Sequence, residues 1–295
     1  MPESPAGQAA SSSATPPNPK IGTGDWSAYT LPLESIYQAA AGWKHRLEGI
    51  DKPWLCWNVN HRWCLLQQKM VRSVGWTPIV GIDPRAGMPP LIPEAIGIDF
   101  DADFHFPVMW PHFPLEFAFL FAPRLAFWHA DLLCRLPLFQ ELAASFAALR
   151  PGSMAAVLDK GGRRNMFAFK KHRFWELIGC TTSEASADQF RVGAGWWRCF
   201  DQHPNCTDPA ERSKRRAYSY DSGVGILYWR NVYKGEVIDV GLHRVKEGHC
   251  SEIGATRYVP GPDHTTPHRN LGLELDQNYS LDEVAARLGI SSFLE

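Results

Sequence analysis

The chain has no Cys-x-x-Cys pair, no long apolar run and no excess of either charge, and each absence closes off a class of protein. Its seven cysteines, at 56, 64, 134, 180, 199, 206 and 250, are odd in number and unevenly spaced. That pattern fits reduced thiols better than a disulfide framework or a zinc finger. Cys199 and Cys206 are the pair expected to bridge if the compartment were oxidising. No stretch approaches the ~18 apolar residues of a membrane span, so no integral membrane segment is expected. The N-terminus lacks the basic and apolar regions of a secretory signal, and the expected location is the cytoplasm. In that setting Asn205-Cys-Thr and Asn278-Tyr-Ser match the glycosylation sequon by coincidence. Lys plus Arg number 30 against 31 for Asp plus Glu, a net charge of −1 at pH 7. Neither a nucleic-acid surface nor an acidic tail defines such a chain, and no nucleic-acid partner is expected. The sequence contains no internal repeat.

What is present is ample core material. Of 295 residues, 45% are hydrophobic and 21% charged, which suits one large α/β domain or two small ones. Twelve Trp and sixteen Phe are a heavy aromatic load for a core or a ring-stacking ligand site. Residues 1–20 are Ser, Ala, Pro and Gly with almost no large apolar side chain, so this segment reads as a disordered tail. Residues 21–295 read as a single domain.

Apolar periodicity divides that domain. Leu33, Ile36, Tyr37, Ala40 and Leu47 have helical spacing, closed by Gly49. Trp54–Val59 is a continuous apolar run suited to a buried strand, and Trp63, Leu66, Met70, Val71 and Val74 form a helix face stopped at Gly75. Thr77–Ile82 is a second strand, so the three elements make a βαβ unit and a parallel pair. Residues 84–114 are a Pro-rich irregular excursion, and Phe117–Phe121 reads as the end of a short helix. Leu125–Trp128 is a third buried strand, Phe139, Leu142, Phe146 and Leu149 a helix face, and Met154–Leu158 a fourth strand. This alternation is the α/β pattern. The C-terminal half is less regular. Phe174–Ile178 reads as a short helix and 201–217 as a polar, basic loop. Val224–Trp229 and Val237–Leu242 read as strands, joined as a hairpin around Lys234-Gly235. Ser280 with Glu283 forms a capping box for a last helix, with Leu281, Val284, Ala285 and Leu288 inward and Gly289 as the stop.

Ligands of parallel sheets gather at strand C-termini, here Asn58, Asn60 and Asp83; the alternative for all three is turn chemistry. Arg124-Leu-Ala-Phe-Trp-His-Ala-Asp131 is the most informative segment. A buried strand delivers His129 and Asp131, two residues apart and on one side, to its C-terminal end. A carboxylate there suits Mg²⁺ or Mn²⁺ with coordination positions left for phosphate and water. The bland alternative is a capping Asp131 and a core His129. Asp99-Phe-Asp101-Ala-Asp103 is a rival chelating run, more simply a solvated edge or loop. Lys160-Gly-Gly-Arg163-Arg164 could cradle phosphate, and Arg212, Lys214, Arg215 and Arg216 could close over one, though a charge run is usually a solvated face.

The succession of a βαβ unit (Trp54–Asp83), a strand ending in an acidic motif (Leu125–Asp131), the segment Leu136–Leu142 and another strand (Met154–Leu158) resembles the nucleotide-sugar-binding half of GT-A fold glycosyltransferases. The resemblance covers about residues 52–160 and rests on order and spacing. One letter departs: His129 stands where the Asp-x-Asp motif has its first Asp. The resemblance implies a mixed, mostly parallel central sheet, a nucleotide-sugar half at 52–160 and an acceptor half at 161–295. It implies Asn58, Asn60 and Asp83 on base and ribose, and Asp131 holding Mn²⁺ or Mg²⁺ on the diphosphate. His249, in Gly248-His-Cys-Ser251, would be the distant His that completes that site, beside His129. Gly193-Ala-Gly-Trp-Trp197 resembles an acceptor segment, with Asp201 or Asp221 as catalytic base.

The implied activity is transfer of a sugar from a nucleotide sugar, UDP-linked by expectation, to a carbohydrate, lipid or protein acceptor. The substitution at His129 raises an alternative, a non-catalytic carbohydrate- or nucleotide-binding protein on a degenerate transferase scaffold. A metal-dependent hydrolase using Asp99, Asp101 and Asp103 is a further one.

Overall fold

A strand whose six residues are all buried must lie inside a sheet covered on both faces, and β1 (Pro53–Asn58) is such a strand. In the computed structural model, which describes residues 33–82, 87–99, 112–160, 172–197, 200–218, 222–250 and 278–295, it stands near the middle of seven. Helix α1 (Leu33–Arg46) precedes it, and α2 (His61–Ser73) leads to β2 (Thr77–Ile82) and β3 (Ile96–Ile98). Next come α3 (His112–Glu116), β4 (Arg124–Trp128), α4 (Leu136–Ala147), β5 (Ser153–Asp159) and β6 (Arg173–Thr182). The remainder is α5 (Ser183–Arg191), α6 (Pro209–Arg215), α7 (Val224–Val232), β7 (Glu236–Asp239), α8 (Leu242–Val245) and α9 (Leu281–Leu288).

The sheet order is β3-β2-β1-β4-β6-β5-β7. β1 pairs in parallel with β2 and β4, as do β2 with β3 and β5 with β7. β6 is antiparallel to both β4 and β5. The fold is therefore α/β with a mixed, mostly parallel sheet in which, among the described strands, β6 alone is reversed. Two consequences place the site. The chain leaves β1 toward β2 on one side while β4 lies on the other, so the carboxyl ends of β1 and β4 form the sheet's topological switch point, where sheets of this kind bind ligands. Because β6 runs backward, its beginning lies at that same end.

Aromatic packing holds the middle of the sheet. The Trp54 ring lies 4.7 Å from Phe139, 5.3 Å from Trp76, 5.5 Å from Phe146 and 5.6 Å from Trp128. All five side chains are buried, so much of the aromatic load is core. The six described cysteines, including Cys206, are buried free thiols; Cys199 lies outside the described residues.

The βαβ unit, β4, α4, β5 and α9 form where periodicity places them. Ser280 Oγ accepts from the Glu283 amide at 3.3 Å, and Gly289 closes α9 at φ 70°. Three expectations fail. Phe174–Ile178 belongs to strand β6, not to a helix. Its Phe174, Leu177 and Ile178 are fully buried, and burial on both faces removes the alternation that marks a strand. Val224–Trp229 lies in helix α7, not in a strand, because a short apolar run buried all round carries no period. The expected hairpin around Lys234-Gly235 is thereby absent, and β7 pairs in parallel with β5. Residues 201–217, expected as a loop, contain α6, capped by the Asp208 carboxylate on the Ala210 amide at 2.9 Å. The tail, residues 1–20, lies outside the described residues.

Candidate metal centre

β4 ends at Trp128, and the chain continues to His129 with its amide still bonded to the Leu177 carbonyl of β6 at 2.8 Å. A turn follows, and buried Gln67 of α2 fixes it, donating Nε2 to the carbonyls of His129 at 2.8 Å and Leu132 at 2.9 Å. Asp131 is thus held just beyond the carboxyl end of β4, buried at 2% exposure.

A second segment closes on this turn. Leu132 bridges His249 in antiparallel fashion. The Leu133 amide donates to the Gly248 carbonyl and the Cys250 amide to the Asp131 carbonyl, both at 3.0 Å. The approach admits no side chain at Gly248, where a Cβ would stand 1.6 Å from the Leu133 oxygen. Backbone pairing therefore fixes His249 against Asp131.

The result is a compact donor set. His129 Nδ1 and His249 Nε2 each lie 3.5 Å from the same oxygen, Asp131 Oδ1. One ligand atom from each residue falls within 4.8 Å of the others. A separation of 3.5 Å is the outer limit of a hydrogen bond, and buried Oδ1 has no hydrogen-bond partner among the described residues. It is close to the donor–donor edge of about 3.4 Å that metal bonds of about 2.0–2.1 Å create in a tetrahedron. Two imidazoles and a carboxylate on one side of an ion leave its other positions open. The residues present therefore fit a divalent ion.

Electrostatics agree with the geometry. Burial pushes the Asp131 pKa up, but His249 and His129 outweigh it and hold the carboxyl well below the ordinary range. Burial pushes His129 down, but Asp131 and Glu176 outweigh it and lift its pKa to about 9. The buried carboxylate is thus held charged between two imidazoles.

Three neighbours left no signal in the sequence. Gln67 sits within an ordinary helix pattern. Glu176 Oε1 lies 3.6 Å from His129 Nε2. Trp175 stands nearly perpendicular to both imidazoles, its ring 6.1 Å from His129 and 5.1 Å from His249. Trp175 and Glu176 belong to the start of reversed strand β6, within the segment expected as a helix.

The other candidates separate. Asn58 is fully buried at the end of β1 and donates to the Gly87 carbonyl at 2.6 Å. Asn60 caps α2, accepting from the amides of Arg62 at 3.0 Å and Trp63 at 3.3 Å. Asp83 and Asp221 lie outside the described residues, as do Asp101, Asp103, Arg163 and Arg164. Asp99 follows edge strand β3. Asp201 is buried and paired with Arg216 at 3.2 Å. Arg215, expected on an open loop, is 2% exposed, stacked on Phe200 and Tyr228 and bonded to the carbonyls of Gly193 and Val192. Trp196 and Trp197, expected as an acceptor platform, are buried: Trp196 packs edge-on against Phe127 at 5.5 Å, and Trp197 lies 5.2 Å from His203. Their indoles fill the core because burial of that much apolar surface outweighs display.

Compared with protein-family models, curated proteins and solved structures, the chain matches none.

Proposed function

We propose that the chain is a metal-assisted glycosyltransferase of the GT-A type, moving a sugar from a nucleotide sugar, with UDP as the expected carrier, to a carbohydrate, lipid or protein acceptor. The observation that carries this reading is the convergence of His129, Asp131 and His249 just past the carboxyl end of β4, at the switch point of the sheet. The order of elements around it, a βαβ unit, a strand ending in the acidic motif, a helix and another strand, is the order the resemblance implies.

A divalent ion in this site would neutralise charge developing on a departing nucleoside diphosphate. Asp131 supplies the anionic ligand, and its depressed pKa keeps it charged at any working pH. His129 and His249 supply neutral nitrogen donors. That donor set favours Mn²⁺ over Mg²⁺, which prefers oxygen ligands and dehydrates reluctantly. The resemblance assigns Asn58, at the end of β1, to the donor's nucleoside, though its side chain is buried and bonded to the Gly87 carbonyl.

The test is thermal stability of the full chain with UDP and UDP-sugars, with and without Mn²⁺, paired with an assay for released UDP. The reading expects metal-dependent stabilisation of several degrees by one nucleotide class, release of diphosphate, and loss of both in Asp131→Asn. Metal-dependent stabilisation without release would favour a binding protein on the same scaffold. No response to any nucleotide would overturn the reading.

A further inference from the structure

We propose that Glu176 is a positioning residue of the metal centre, its carboxylate facing Nε2 of His129 at ion-pair distance, which favours the proton on Nε2 and leaves Nδ1 as the nitrogen presented beside Asp131. The inference rests on the metal-centre reading and deepens it. A neutral imidazole carries one N–H and one lone pair, and the group facing its far nitrogen decides which nitrogen can ligate. In His129 the two nitrogens face two different carboxylates: Nδ1 lies 3.5 Å from Asp131 Oδ1 and Nε2 3.6 Å from Glu176 Oε1. The compact donor set comprises His129, Asp131 and His249, and Glu176 stands behind His129, outside it.

Two further features are arranged around this carboxylate. The β5–β6 ladder is irregular at this point. Ala156 pairs with Gly179, yet Val157 pairs with Trp175, so one step along β5 spans four along β6. The residues skipped are Glu176, Leu177 and Ile178. An irregularity of this kind re-aims a side chain, and such features recur beside functional sites. Glu176 is also anchored from its other side: Ser222 Oγ donates to the same Oε1 at 3.0 Å. Ser222 is itself fixed by its neighbour Gly223, which lies at φ 79° with its carbonyl accepting from the Phe174 amide at 3.1 Å. A Cβ at Gly223 would fall 1.8 Å from the Phe174 oxygen, so the contact with β6 requires glycine there. One carboxylate oxygen is thus set between a hydroxyl and an imidazole by two separate parts of the chain.

The experiment measures Mn²⁺ affinity and the Co²⁺ absorption spectrum of the full chain and of Glu176→Ala, Glu176→Gln and Ser222→Ala, with melting temperatures in EDTA. Glu176→Ala is expected to weaken metal binding by about 10–100-fold, the usual effect of losing the partner of a ligating His. Glu176→Gln keeps an acceptor oxygen for His129 and is expected to recover most of that affinity, with the Co²⁺ spectrum unchanged. Ser222→Ala is expected to show a smaller loss and serves if Glu176→Ala does not fold. Wild-type affinity in Glu176→Ala would overturn the proposal while leaving the metal centre standing. So would a Gln variant as weak as the Ala variant, or a changed Co²⁺ spectrum in the Gln variant, which would make Glu176 a ligand. A wild-type chain that binds neither ion would overturn the metal centre itself and this inference with it.

Discussion

Replacing Gly248 by alanine adds one methyl group, yet it strikes the joint that brings His249 against Asp131 in the proposed metal centre. The added Cβ would sit 1.6 Å from the Leu133 carbonyl oxygen and 2.7 Å from its carbon. Both atoms are backbone, so no side-chain rotation relieves the overlap and the two segments must separate. Separation breaks the Leu133–Gly248 and Cys250–Asp131 hydrogen bonds, each 3.0 Å long. At about 0.5–1.5 kcal/mol apiece, with buried groups left unpaired, the expected loss is about 1–3 kcal/mol. The effect on the ion should be larger than the effect on the fold, because His249 rides on the displaced segment while the sheet does not. We expect Mn²⁺ affinity to fall at least about tenfold, the range in which altered ligand support acts. Gly289→Ala is the matched control: it stands at φ 70° with open space around its Cβ position. It should lose about 1 kcal/mol from backbone conformation and keep its metal affinity. Urea denaturation in EDTA and Mn²⁺ titration of both variants decide the matter. Unchanged stability and affinity in Gly248→Ala would refute the claim that this pairing builds the site.

Other expectations follow from the same packing and charge. Since His129 keeps its proton to about pH 9 in the metal-free chain, Mn²⁺ must displace it; affinity should rise about tenfold per pH unit up to about 9 and then level off. The linked stability of the metal-free protein has the opposite sign: His129's raised pKa stabilises fully below its ordinary value of about 6.5, and that contribution fades as pH rises through about 9. A flat affinity profile in calorimetric titrations would contradict both. Trp54→Ala should cost about 3–5 kcal/mol in urea denaturation, because four aromatic rings lose their common neighbour. Burial raises the Glu211 pKa, but the Tyr228 hydroxyl at 2.6 Å and Arg215 at 3.2 Å outweigh it and lower the value overall. Its stabilisation is therefore present above the ordinary Glu value and lost as pH falls through the depressed one. Glu211→Gln should destabilise by about 1–3 kcal/mol at pH 7, and the gap to wild type should narrow in acid melts.

What the sequence disclosed depended on where burial was one-sided. α9 was legible to its caps, because its inward Leu281, Val284, Ala285 and Leu288 alternate with exposed residues at helical spacing. β1 and β4 were legible because turn residues bracket short apolar runs. β6 and α7 exchanged identities: Phe174–Ile178 and Val224–Trp229 are almost wholly buried, and a segment covered on every side carries no period to read. His129 and Asp131 were local in sequence and declared themselves. His249 entered through the family resemblance and stands against Asp131 by backbone pairing that no local pattern encodes. Glu176 lay hidden because its position depends on a reversed strand and a slipped register, neither of which has a signature in residue order. Trp196 and Trp197 show the converse, since a suggestive motif turned out to be interior packing.

His249, the third residue of the proposed metal centre, arrives more than a hundred residues after the first two. An ion bound there would form its chelate only after a loop of 118 residues between Asp131 and His249 had closed. A nascent polypeptide that had emerged only through β6 would hold two donors and a largely built sheet, yet no chelate. If the proposed centre holds an ion, its capture is accordingly a late event, and a ribosome-stalled series of lengths would see it switch on only beyond residue 250.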